Sequence, residues 1–179
     1  MSKKIVGMYP GSFDPITYGH MDIIVRSLKI VDKLIIAVAC NINKESLFTG
    51  KERVLMIKKE ILKLDQKMLK KFQILNFKGL LAIFAKKNNV NCVIRGLRAI
   101  SDFEYEFQMT GMNKNLFPGL ETVFLMSSEK YSFISSKLVK EVHNLGGNID
   151  KFVSPFVIKY LNKILVLKTK KDLILFLMH

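Results

Sequence analysis

The densest chemistry in the chain lies near its start, in Tyr9-Pro-Gly-Ser-Phe-Asp-Pro-Ile-Thr-Tyr-Gly-His20. Gly11 permits a close backbone approach, and Ser12 offers a hydroxyl and an N–H. Pro15 and Thr17 favour a helix start just beyond. The opening turn of a helix presents free N–H groups and a positive dipole end, and both attract phosphate. His20 falls in that turn, where it points at whatever is bound; a capping histidine with no chemistry is the competing reading. The segment matches neither GxGxxG nor GxxxxGK[ST], so neither a dinucleotide oxidoreductase nor a Walker-type NTPase is supported.

Three more segments carry cations or clustered hydroxyls. Ile94-Arg-Gly-Leu-Arg98 holds two of the chain's four arginines, and a guanidinium is a planar fork matched to phosphate oxygens. Asp102, Glu104 and Glu106 follow it and supply salt bridges in the alternative reading. Asn41-Ile-Asn-Lys44 places a lysine that can swing a point charge onto a phosphate, or stay solvated. Tyr131-Ser-Phe-Ile-Ser-Ser136 runs into another helix start, where plain capping by Ser135 is the competing role. No Ser–His–Asp nucleophile set is evident. Together the four segments point to phosphate chemistry by positioning and electrostatics.

The apolar period along the chain says what must hold these segments. Lys4–Tyr9, Leu34–Cys40, Phe72–Phe77, Val90–Ile94 and Thr122–Met126 read as strands. LIIAVAC at 34–40 is apolar throughout, as a strand buried on both faces of a parallel sheet must be. Helices are predicted over Asp14–Asp32 (Met21, Ile24, Val25, Leu28 facing inward), after a capping box at Thr49–Glu52 (stripe Val54, Ile57, Ile61, Leu64), over Leu80–Lys87 and over Phe103–Asn113. Another starts at Ser135 (Leu138, Val142, Leu145) and stops at Gly146-Gly147, and a last one starts at Pro155. Five strands alternating with helices predict an α/β fold: a single doubly wound Rossmann-like domain with a five-stranded parallel sheet. Such folds bind ligands outside the carboxyl ends of the strands, where the strand order reverses. Each of the four segments follows a strand.

The 179 residues suit one domain with a sizeable core, and 49% apolar against 25% charged composition excludes wholesale disorder. A formal charge of +14 invites polyanions. Most basic residues are lysines in a chain also rich in Ile and Asn, a pattern that A/T-rich coding produces without function. A nucleic-acid-binding module is the competing class. Against it stand the lack of zinc-finger spacing, of heptads and of basic stretches with interleaved aromatics. Cys40 and Cys92 form no CxxC and read as small buried apolar residues. The N-terminal apolar run is broken by Gly7, Pro10 and Asp14, and Phe152–Leu167 carries Lys159 and Lys163, so neither a signal peptide nor a membrane span is expected. The expectation is a cytoplasmic protein without nucleic-acid or membrane partners. The Lys-studded tail, 163–179, stands apart from a domain at 1–162; a frayed end, a subunit contact and an acidic-membrane contact are its open readings.

From about Lys4 to Asn162, these motifs, with Asp102-Phe-Glu-Tyr-Glu106, resemble bacterial phosphopantetheine adenylyltransferase. The TxGH motif alone marks the broader nucleotidylyltransferase superfamily, usually HxGH. The IRGLR and DFEYE segments narrow the resemblance, against a mononucleotide adenylyltransferase or a cytidylyltransferase. It implies transfer of the adenylyl group of ATP to 4′-phosphopantetheine, giving dephospho-coenzyme A and pyrophosphate, with Mg²⁺ as cofactor. It implies that His20 is catalytic, and that Ser12, Lys44, Leu81 and Arg95 bind 4′-phosphopantetheine. ATP would be held by Ser12, Phe13, His20, Gly96, Leu97, Arg98, Glu106, Tyr131, Ser132, Phe133, Ile134, Ser135, Ser136 and Lys137. It also implies a homohexamer, a dimer of trimers, with coenzyme A able to occupy the site. Departures are Ser12 for the more usual Thr, Tyr131 where some members have Trp, Lys137 where Ser or Thr is usual, and Lys140 where the superfamily's ISSTxxR motif has Arg.

Overall fold

Five short strands build the sheet, and one of them, Lys33–Ala39, is fully buried from Leu34 to Val38. In the computed structural model, which describes residues 4–40 and 46–177 (side chains to 166), they are β1 (Val6–Gly11), β2 (Lys33–Ala39), β3 (Phe72–Phe77), β4 (Cys92–Leu97) and β5 (Glu121–Met126). All pairings are parallel, in the order β3-β2-β1-β4-β5. The helices are α1 (Tyr18–Ser27), α2 (Gly50–Ile61), α3 (Gln66–Leu69), α4 (Leu81–Lys87), α5 (Ile100–Leu116), α6 (Ser136–Asn144) and α7 (Pro155–Leu177), with a 3₁₀ turn at Glu129–Tyr131.

The two faces of the sheet bury different clusters. Leu34, Ile36 and Val38 of β2 pack with Ile23, Ile57 and Val157 from α1, α2 and α7. Their neighbours Ile35 and Ala37 pack on the opposite face with Met8 and Ala85 of α4. Side chains alternate across a strand, so a two-faced core requires the unbroken apolar run of β2. This is the expected doubly wound, Rossmann-like α/β fold. The strand order reverses at the β1/β4 pair, and there the crevice opens.

Three local expectations are corrected. The first helix begins at Tyr18, just beyond Thr17 as expected, but fills only part of the run from Asp14 to Asp32, ending at Ser27; the Asp14 carboxylate instead accepts from the N–H groups of Leu47 and Phe48 (both 2.9 Å) and from Lys140 Nζ (2.7 Å). On α6, Leu138 and Leu145 are exposed while Val139 and His143 are buried. Two polar anchors set that rotation: Ser136 Oγ donates to the Pro15 carbonyl (2.7 Å), and His143 Nε2 lies 2.7 Å from Asn162 Oδ1. Cys92 is buried as expected, but Cys40 is only half-buried at the end of β2. α7 runs unbroken through residue 162, and no described helix is long and apolar enough to cross a membrane.

Candidate active site

A cleft of about 790 Å³ lies over the carboxyl ends of β1 and β4, within the range of small-molecule sites. Its floor starts with the turn after β1. Phe13 adopts a positive φ of 48°, a conformation uncommon outside glycine. Its ring is fully buried in the core, so Phe13 can serve a ligand only through its backbone. The N–H groups of Ser12 and Phe13 have no hydrogen-bond partner among the described residues, and Ser12 lines the cleft.

The opening turn of α1 is not the free-N–H anion trap that the sequence suggests. Thr17 caps it, with its Oγ1 accepting from His20 N (3.3 Å), and Tyr18 N–H donates to the Phe152 carbonyl (2.9 Å). Thr17 N–H donates to His20 Nδ1 (3.1 Å), with Thr17 Oγ1 2.9 Å from the same nitrogen. His20 is therefore both the capping histidine and a group facing the cleft. Because Nδ1 accepts a backbone N–H, the ring proton of the neutral form sits on Nε2. Burial lowers the His20 pKa to about 4, helped by the Arg98 guanidinium. At neutral pH His20 is thus an uncharged Nε2–H donor.

The arginines after β4 are held by α5. Arg95 Nε donates to Glu106 Oε2 (2.7 Å), Nη2 pairs with Glu106 Oε1, and Nη1 donates to the Pro10 carbonyl (2.8 Å). Arg98 Nε and the Asp102 carboxylate lie 3.0 Å apart. Burial alone raises the Asp102 pKa, but the bonds from Arg98 outweigh it and the net shift is downward. Of the three acids read as competing salt-bridge partners, Glu106 and Asp102 do pair with these arginines and Glu104, among the described residues, does not, and the two pairs line the cleft. An arginine so held still has an N–H free on each Nη. Asp22 fastens the far wall: Ser128 Oγ (2.8 Å) and Arg26 Nη1 (3.0 Å) both donate to it.

Of the residues singled out in sequence, Ser12, His20, Leu81, Arg95, Gly96, Arg98, Glu106, Tyr131, Ile134, Ser135, Ser136 and Lys137 come together around this one cleft. Leu97 is buried beneath it. Ser132 and Phe133 lie off its wall: Ser132 Oγ donates to the Glu129 carbonyl, and the exposed Phe133 ring packs edge-on to Phe152. Lys44 lies outside the described residues. Sequence reasoning missed the inner face of α5, where Tyr105, Met109 and Asn113 complete the wall and border a second cavity of about 100 Å³ next to Arg95 and Leu81. Their spacing of four residues from Tyr105 to Met109 and again to Asn113 is a helical stripe that follows directly from DFEYE. Tyr9, nearly buried, turns its hydroxyl toward Gly96 at the cleft floor.

Comparison with known proteins fits this geometry. The cytidylyltransferase-like family model matches residues 8–142. A phosphopantetheine adenylyltransferase of Wolbachia sp. subsp. Brugia malayi is 52% identical over 156 residues, covering 87% of this chain and 91% of that one. One from Caulobacter vibrioides is 51% identical over 156 residues, covering 87% and 94%. Among solved structures, Plasmodium falciparum nicotinic acid mononucleotide adenylyltransferase complexed with NaAD superposes with a TM-score of 0.64 at 18% identity, covering 90% of this chain and 96% of that one. A bifunctional NMN adenylyltransferase/ADP ribose pyrophosphatase from Francisella tularensis gives 0.68 at 14%, covering 90% of this chain and 49% of that one; these two share the fold. With half its residues identical over nearly all of their length, the chain belongs to the phosphopantetheine adenylyltransferases, nucleotidyltransferases that pass an adenylyl group to phosphopantetheine.

Proposed function

We propose that this cleft transfers the adenylyl group of ATP to 4′-phosphopantetheine, releasing pyrophosphate and forming dephospho-coenzyme A. One observation carries the reading: a neutral Nε2–H donor, unpartnered backbone N–H groups and two braced arginines surround one crevice in which, among the described residues, no serine side chain is hydrogen-bonded to His20. The acceptor's own phosphate oxygen attacks the α-phosphorus in line, and the bond to the pyrophosphate oxygen breaks. The protein's task is to hold two repelling anions together and to meet the charge that grows on the α-phosphate.

His20 Nε2–H donates to an α-phosphate oxygen, and the Ser12–Phe13 turn supports the same group. Arg95, with Lys44, takes the acceptor's phosphate. Arg98 and Lys137 face the nucleotide side with Tyr131, Ser135 and Ser136. The cavity along Leu81 and Asn113 suits the pantetheine arm, an aliphatic chain with two amides, for which Asn113 offers a matching amide. Among the described residues no group of three or more His, Cys, Asp or Glu forms a cation cage, and Asp102 and Glu106 are already bound by arginines. The described side chains do not fit a dedicated Mg²⁺ site, and a Mg²⁺ ion would be held by the nucleotide's own phosphates.

The working form is a homohexamer, a dimer of trimers. Support comes from α5, whose Phe103, Phe107 and Leu116 are all well exposed in the single chain and form the kind of apolar patch that interfaces cover. The product and coenzyme A compete for the same cleft, and the reaction proceeds in the cytoplasm. The deciding experiment is pyrophosphate release from ATP with a panel of acceptors. The expected result is turnover with 4′-phosphopantetheine and none with nicotinate mononucleotide. Turnover with the mononucleotide alone, or with no acceptor, overturns the reading.

A further inference from the structure

Arg53 on α2 is 3% exposed and belongs to no ion pair among the described residues. Nη1 donates to the carbonyls of Ser12 (2.6 Å) and Ala39 (2.9 Å), and Nη2 lies 3.7 Å from Cys40 Sγ. Nε is the one buried side-chain nitrogen or oxygen without a partner among the described residues. The nearby acids are engaged elsewhere: Asp14 by Lys140, Glu52 by the Thr49 cap and Glu60 by Lys63 and Ser154.

A buried guanidinium with carbonyl partners and no carboxylate is a poor device for stability. Its position gives it another use. Ser12 opens the turn after β1 and lines the cleft, as does Ala39, which ends β2 directly before the segment that carries Lys44. One nitrogen therefore ties the turn after β1 to the end of β2. The charge it brings has no counter-ion among the described residues, so it adds to the positive potential at that turn.

We propose that Arg53 is a positioning residue of the adenylyl transfer: its Nη1 bridges the Ser12 and Ala39 carbonyls, fixes the turn after β1, and brings a positive charge to that turn. The inference rests on the reading of the cleft as an adenylyl-transfer site. Misplacing such a turn by about 1 Å costs on the order of 10² in rate.

The test compares R53M and R53K with the parent protein by calorimetric binding of ATP and of uncharged adenosine, alongside pyrophosphate release and circular dichroism. R53M should bind ATP about tenfold more weakly, the scale of one lost unit charge, while adenosine binding stays unchanged. R53K should keep the ATP-to-adenosine preference but lose turnover, because a flexible ammonium on a different stem does not hold the rigid guanidinium position from which Nη1 reaches both carbonyls. Equal weakening of ATP and adenosine overturns the proposal, as does a folded R53M with parental turnover, or loss of fold in both variants. The binding arm needs no acceptor, so it stays decisive even where the parent fails to turn over phosphopantetheine, which would strike the functional reading instead.

Discussion

The protonation state of His20 makes a prediction that can fail cleanly. Its folded pKa is about 4, lowered by burial and then by Arg98, against about 6.5 for a free histidine. Between those values the unfolded chain binds the extra proton and the folded chain does not. Stability contributed by the neutral ring is therefore fully present above pH 6.5 and is lost as pH falls toward 4. The gap corresponds to up to about 3 kcal/mol. Urea unfolding at pH 7 and pH 4.5 should show this loss in the parent protein, superimposed on that of its carboxylates, and a smaller loss in H20Q. Turnover should follow the same logic. Because the Nε2–H donor is present throughout, His20 contributes no inflection to kcat between pH 5.5 and 8. H20A removes the donor and should lower kcat on the order of 10² to 10³, with ATP binding retained. H20Q, which keeps an N–H donor, should recover part of it. An inflection near pH 6.5 that vanishes in H20Q would mean a charged imidazolium does the work, and the neutral-donor reasoning would be wrong.

Other consequences can be read from the same contacts. T17A deletes the α1 cap and one of the two contacts on His20 Nδ1; it should cost about 1 kcal/mol in thermal unfolding and lower kcat further than that loss explains. D14A leaves Lys140 and two amides without their acceptor; a loss of about 3–5 kcal/mol is expected in chemical denaturation, and a change below 1 kcal/mol would show that Asp14 does not pin the loop. R95A should raise the KM for 4′-phosphopantetheine far more than that for ATP, and an unchanged acceptor KM removes Arg95 from the acceptor side. G7A places a methyl group 2.8 Å from Val31 Cγ1, and melting should register about 1–3 kcal/mol of overpacking.

How far the sequence reaches into this site depends on which force sets each part. The β2 run LIIAVAC, the Thr49–Glu52 cap and the Ser135 cap are local signals, and each is realised in place. Where a long-range polar bond decides, local pattern misleads. Asp14 stands in the run of helical spacing from 14 to 32, yet it lies outside the helix and its carboxylate holds the Leu47 and Phe48 amides more than thirty residues away. Leu138 looks like core until Ser136 and His143 turn α6 the other way. The site shows the same division. That arginines crowd the β4 end is visible in IRGLR, and that acids follow is visible in DFEYE. That Glu106 braces Arg95 while Asp102 braces Arg98 requires the closure of β4 against α5. His20 is the sharpest case. From sequence it is either a plain cap or a donor aimed at a ligand, and the fold lets one ring be both: the Thr17 N–H that completes the cap on Nδ1 also places the remaining ring proton on Nε2, and His20 lines the cleft.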